Sequence, residues 1–263
     1  MSQSIDYSIL DQPDVLRVIF SPRKGWTPPP PKATDFIVPI EDDVSIACRF
    51  YRSGHSSPSI LYFHGNGEIV YDYDEVAPYY NKLGINLFVT DIRGFGQSTG
   101  TPCYSNLVSD APILLAYLRN LLEVLNYTGP LFVMGKSMGS MPALELALRH
   151  PEHITGLIIE SASISLGSLM ATFFPTLPQD KLKEMEELNL ERVRTVRMPS
   201  MFIHGENDKV IPHELGQIFY ESIGSEDKRF VTISGAGHID VMAIGMEQYF
   251  SAISEFVLRR MPA

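Results

Sequence analysis

Cysteine is scarce. Cys48 and Cys103 are the only two in 263 residues, too few for the disulfide framework that holds small secreted domains together. Long apolar runs are missing too, since none approaches the ~20 residues needed to cross a bilayer. The opening MSQSIDYSIL has no basic region followed by an apolar one, so no secretory leader is expected. Basic runs are also absent. Lys and Arg total 21 against 31 Asp and Glu, a net charge of −10. Such a chain repels phosphate backbones, and nucleic acid is not expected as a partner. The one group of arginines, Arg192, Arg194 and Arg197, lies beside Glu184, Glu186, Glu187 and Glu191 and reads as a solvated helix face. No His, Cys and carboxylate cluster has zinc-ligand spacing. These absences point to a reducing, cytoplasmic setting with no metal site.

What is present is an ordinary globular composition, 44% hydrophobic and 20% charged, which excludes a disordered chain. Residues 1–35 read as an N-terminal arm, with SPRKGWTPPPP as an extended lead onto the sheet. A proline run offers no amide donors for a helix or ladder; a proline-rich ligand for a partner is the other reading. Residues 36–263 then alternate short apolar runs with helical patterns. FIVPI and SIACRFY predict two paired strands. SILYF, INLFVTD, PLFVM, TGLIIESAS, MPSMFIHG and RFVTI predict six more. Between them, Leu114, Leu118, Leu121, Leu122 and Leu125 fall at helical spacing, with Ser109 placed as N-cap. Strands alternating with helices imply a mostly parallel sheet covered on both faces.

In a parallel sheet, ligands bind beyond the carboxyl ends of the strands. After PLFVM comes Gly135-Lys136-Ser137-Met138-Gly139, a G-x-S-x-G between a strand and a helix. The sharp turn strains the serine, and a side chain on either flank would clash, so both flanks are glycine. Ser137 is the candidate nucleophile. It needs a base, and the base an orienting acid. Of seven histidines, His150 and His153 read as surface residues, His55 lies in a turn and His213 opens a helix. His64 and His204 precede glycines and read as structural. His238, in the flexible SGAGHID after the last strand, is the candidate base. Asp208, in HGENDKVIP, is the candidate acid, with Glu160 as the credible substitute. Asp91 is expected to fix its own loop with Arg93, and Asp240 to cap the C-terminal helix. The oxyanion hole is assigned to the backbone amides of Met138, directly after the nucleophile, and Asn66, in His64-Gly65-Asn66-Gly67 after SILYF.

The set HGNG, DIRGFGQSTG, GKSMG, HGENDKVIP and GAGH resembles the α/β-hydrolase superfamily. The chain is most similar to compact serine hydrolases: esterases, thioesterases and serine aminopeptidase-like proteins, a group that includes protein-depalmitoylating hydrolases. The resemblance covers roughly residues 36–260. It implies an α/β-hydrolase fold with an eight-stranded sheet, a Ser-Asp-His triad and no cofactor. It leaves the substrate open, because one scaffold carries many chemistries. The expected activity is hydrolysis of an ester or thioester, with an amide possible; a serine exopeptidase and a non-catalytic scaffold are the alternatives. Ser137 excludes relatives with an Asp or Cys nucleophile. GFGQSTG is no dinucleotide fingerprint, since Gly100 comes one residue late and no helix opens promptly.

One stretch breaks the strand-helix rhythm. Residues 164–196 form an insertion on the catalytic side of the sheet, read as a small lid. Leu166, Leu169, Met170, Phe173 and Phe174 recur at i, i+3, i+4, i+7 and i+8, an apolar helical stripe. The expectation is that Leu169, Met170, Phe173 and Phe174 roof the pocket and receive an apolar group. The bland reading is that the stripe packs on the domain body.

Overall fold

A computed structural model describes residues 5–261. The chain forms one eight-stranded sheet in the spatial order β1-β2-β4-β3-β5-β6-β7-β8. Strands β1 (Ala33–Glu41) and β2 (Val44–Tyr51) pair as an antiparallel hairpin, and β2 runs antiparallel to β4 (Asn86–Thr90). The remaining ladders are all parallel. They join β4 to β3 (Ser59–Phe63), β3 to β5 (Leu131–Lys136), and β5 to β6 (Gly156–Glu160). They continue to β7 (Ser200–Gly205) and β8 (Lys228–Ile233). The inner strands read as continuous apolar runs because both their faces are buried.

Helices cover the two faces. On one side lie α3 (Tyr104–Val124), α4 (Ser140–Arg149) and α7 (His213–Ser222), contributing Leu114, Leu118, Leu146 and Phe219 to the core. On the other lie α2 (Ala77–Lys82) and a C-terminal pair, α8 (Val241–Ile244) and α9 (Met246–Leu258), contributing Tyr80, Tyr249, Ile253 and Phe256. A third apolar cluster sits away from both faces. It joins Tyr7, Leu10, Val15 and Phe20 of the N-terminal segment to α5 (Leu166–Phe173) and α6 (Gln179–Val193), through Met170, Leu182 and Met185. The N-terminal segment itself carries helix α1 (Pro13–Ile19), then runs extended through the proline stretch to β1.

The start of α3 differs from the sequence expectation. Ser109 is not its N-cap; the helix begins six residues earlier, with Cys103 as cap and its sulfur accepting from the Asn106 amide. Asp11 of the N-terminal segment also accepts from the Tyr104 amide at 2.7 Å. A carboxylate from a distant part of the chain thus satisfies the free donors that a local reading assigns to Ser109. Pro112 lies inside the helix. Strand β6 likewise stops at Glu160 rather than near Ser163, because Ser161 turns to a φ of +49°.

Candidate active site

Ser137 sits where β5 turns sharply into α4, at a φ of +50°, a conformation costly for a residue with a Cβ. The flanking glycines are what make the turn possible. A Cβ on Gly135 would lie 2.2 Å from the Gly139 carbonyl oxygen, and one on Gly139 would lie 2.2 Å from that of Phe63. The strained turn lifts the Ser137 hydroxyl to the carboxyl end of the sheet.

The loops after β7 and β8 bring Asp208 and His238 to that serine. His238 Nε2 lies 3.0 Å from Ser137 Oγ, and Nδ1 lies 2.8 Å from Asp208 Oδ2. A carboxylate only accepts, so Nδ1–H donates to Asp208 and Nε2 is left to accept from the hydroxyl. Asp208 is buried, which opposes its charge. Hydrogen bonds from His204, His238 and the Ile211 amide outweigh that and hold its carboxyl well below the usual range. His204, read from sequence as structural only, therefore also touches the acid, with Nε2 3.2 Å from Asp208 Oδ2 and 2.9 Å from the Ile211 carbonyl. Helix α7 leaves room for it: a Cβ on Gly216 would meet His204 Nδ1 at 2.3 Å.

The other candidates have other partners. Glu160 accepts from the buried Tyr249 hydroxyl at 2.7 Å and stands 4.0 Å from Lys136 Nζ. Asp91 accepts from the Val70 amide at 2.8 Å and lies 3.4 Å from His64 Nε2. Arg93 does not pair with Asp91 as expected. It forks onto Asp110, at 2.6 and 2.7 Å, because Asp110 projects from α3 beside it. Asp240 occupies the N-cap position of α8 but makes no side-chain cap bond. Its carboxylate turns back to accept from the Gly237 amide at 2.7 Å, bracing the loop that carries His238.

The loop after β3 passes beside Ser137; a Cβ on Gly65 would come within 3.6 Å of the Ser137 Cβ. Both Asn66 and Met138 line the space in front of the serine. Among the described residues, the Asn66 amide has no protein acceptor. Glu68 braces this loop: it accepts from the Gly65 amide and the Tyr73 hydroxyl, each at 2.9 Å, and meets Lys136 Nζ at 2.5 Å. Burial opposes both charges, but the pairing prevails. Glu68 is held below and Lys136 above its ordinary value, the latter also through Glu160. Glu160, fully buried, is pushed up by desolvation despite Lys136.

A pocket of about 300 Å³ opens over Ser137. Its apolar walls include Leu166, Leu169, Met170 and Phe173 from α5, Tyr104, and Ile19 from the N-terminal segment. Phe174 departs from the sequence expectation. Helix α5 ends at Phe173, and Phe174, its C-cap, does not line the pocket but packs against the third apolar cluster. The periodic pattern ran one residue past the helix. Among the described residues, no cluster of His, Cys and carboxylates is arranged to hold a metal ion. No described helix is long and apolar enough to cross a membrane.

The family model described as "Serine aminopeptidase, S33" matches residues 54–188 and 179–241. Protein bem46 of Schizosaccharomyces pombe is 28% identical over 210 residues, 78% of this chain and 69% of the relative. The human alpha/beta hydrolase domain-containing protein 17B is 29% identical over 220 residues, 81% and 70% of the two chains. Among solved structures, an esterase of Pyrococcus furiosus superposes with a TM-score of 0.73 at 21% identity, covering 92% of this chain and 100% of the other. The chain, a hydrolase by family, belongs to the serine aminopeptidase S33 family of the α/β-hydrolase superfamily.

Proposed function

We propose that the protein is a serine hydrolase that cleaves an ester or thioester through an acyl-enzyme. The observation that carries this reading is the unbroken chain Asp208–His238–Ser137, at 2.8 and 3.0 Å, beneath an apolar pocket. His238 Nε2 takes the proton of Ser137 as Oγ bonds to the substrate carbonyl carbon. The Asn66 and Met138 amides receive the oxyanion, at the N-terminal end of α4. The tetrahedral intermediate collapses, the bond to the leaving alcohol or thiol breaks, and that group leaves with the proton from His238. Water then attacks the acyl-enzyme, giving its proton to His238, and Ser137 recovers a proton as the acid departs. Asp208 stays ionised and holds the imidazole in one tautomer.

The family's description favours a second reading, an exopeptidase, which needs an acidic group free to bind the substrate's α-ammonium. Two acidic side chains near the site could serve, Glu68 and Glu160, and each is already occupied, Glu68 by Lys136, Tyr73 and Gly65, and Glu160 by Tyr249. The apolar walls suit an acyl chain better. A fluorophosphonate probe should label wild type and spare Ser137→Ala. A panel of p-nitrophenyl esters, acyl thioesters and aminoacyl-p-nitroanilides then separates the two readings. Turnover of the anilides alone would reject the ester and thioester reading.

A further inference from the structure

The family match begins at residue 54, yet the segment before it reaches the site. Ile19 lines the pocket. Its carbonyl accepts from the Asn66 side-chain amide at 2.6 Å, and the Ser21 amide donates to Asn66 Oδ1 at 2.9 Å. The Asn66 side chain is thus spent on the N-terminal segment, while its backbone N–H has no protein acceptor among the described residues. Two residues on, Arg23 Nε donates to the Gly67 carbonyl at 2.7 Å, while its other nitrogens reach Asp72 and, at 3.2 Å, the Tyr71 hydroxyl. Each residue of the Gly65–Gly67 turn is thus held, Gly65 at its amide by Glu68, Asn66 at its side chain by Ile19 and Ser21, and Gly67 at its carbonyl by Arg23.

The segment has its own anchorage. Tyr7, Leu10, Val15 and Phe20 are buried against α3, α5 and α6. Asp11 binds the α3 terminus, the Arg23 carbonyl accepts from the Gly96 amide at 2.9 Å, and Lys24 Nζ reaches the Ser98 carbonyl at 2.7 Å. Gly67, at a φ of +80°, gives the turn freedom that these bonds remove. An oxyanion hole stabilises a transition state only if its donors are aimed before the charge develops.

We propose that the N-terminal segment is a working part of the active site: through Asn66 and Arg23 it fixes the turn whose Asn66 amide binds the oxyanion. This rests on the serine mechanism above. Asn66, by its side chain, and Arg23 are positioning residues. Arg23 does not line the pocket, so a loss of rate on its removal has to travel through the turn.

The test compares Asn66→Ala, Arg23→Ala and Arg23→Lys in the full chain, with kcat, KM and the inhibition constant of an alkylboronic acid. The boronate forms a tetrahedral adduct on the serine and reports the oxyanion hole directly. Asn66→Ala and Arg23→Ala should each lower kcat about ten- to a hundredfold with KM within about twofold, less than the ~10²–10³ for removing a donor outright. Boronate affinity should weaken by the same factor as kcat, and Arg23→Lys should recover part of the loss. Wild-type kcat and boronate affinity in folded Asn66→Ala overturn the proposal, as does a rise in KM alone, which would make the segment a mere pocket wall. Should Arg23→Ala fail to fold, Asn66→Ala decides, since that side chain is exposed. A wild type no more active than Ser137→Ala gives a separate signature, overturning the serine mechanism itself and this proposal with it.

Discussion

Lys136, the residue directly before Ser137, is salt-bridged to Glu68 at 2.5 Å, so the nucleophile's turn and the loop after β3 are tied across the site. Both side chains are largely buried. Removing one partner of such a pair leaves an uncompensated charge, and that costs more than the pair was worth. Lys136→Met strands both Glu68 and Glu160. It should destabilise by roughly 2–3 kcal/mol, below the ~3–5 of a fully enclosed pair. The double variant Lys136→Met/Glu68→Gln should recover much of this. Urea unfolding of the two single variants and the double variant checks it, and additive losses would show that the two residues do not act as a pair.

The three residues over the sheet should behave as a unit. Ser137→Ala and His238→Ala should lower kcat by ~10⁴–10⁶, and Asp208→Asn by ~10⁴. The depressed Asp208 carboxyl also carries a stability consequence. Its folded value lies below its unfolded one, so the stabilisation is complete above about pH 3.9 and is lost as pH falls toward the folded value. Glu160→Gln should retain activity, since Glu160 bonds Tyr249 rather than His238. Should Glu160→Gln lose activity while Asp208→Asn keeps it, the acid has been misassigned.

Glu160 has the opposite linkage. Burial raises its carboxyl above the unfolded value. The folded state therefore binds more protons, and stability falls as pH rises from about 4.3 through the higher folded value. Glu160→Gln keeps an acceptor for Tyr249 and removes the titration. Its Tm relative to wild type should climb with pH across that window and level off above it. Thermal melts at half-unit steps from pH 4 measure this; a constant difference would mean Glu160 does not change charge on folding.

Much of this architecture was legible in the sequence because its causes are local. Continuous apolar runs give buried parallel strands, and Gly135 is fixed by the backbone of Gly139, four residues on. The meeting of Ser137, Asp208 and His238 was readable because each follows its own strand in a parallel sheet. What escaped depends on partners far apart in the chain. The first turn of α3 takes its acceptor from Asp11, and Asn66 takes its partners from Ile19 and Ser21. Arg93 chose Asp110 over the nearer Asp91 because α3 carries it alongside. His204 gave no sequence sign that it would reach Asp208.

The two neighbouring phenylalanines of the insertion provide a test of the pocket. Phe173 lines it and is 57% exposed at its rim, while Phe174 packs into the apolar cluster beneath the insertion. Each CH₂ buried contributes about 0.8 kcal/mol, roughly fourfold in kcat/KM. With a homologous series of acyl esters, kcat/KM should climb by up to that factor per carbon and drop where the chain meets the roof. Phe173→Ala should move the drop toward longer acyl groups with little change in Tm. Phe174→Ala should leave the profile in place and cost about 1–3 kcal/mol of stability, less than the ~3–5 for a fully buried ring because Phe174 is only partly buried. The same cutoff in wild type and Phe173→Ala would remove α5 from substrate recognition and leave it a packing element.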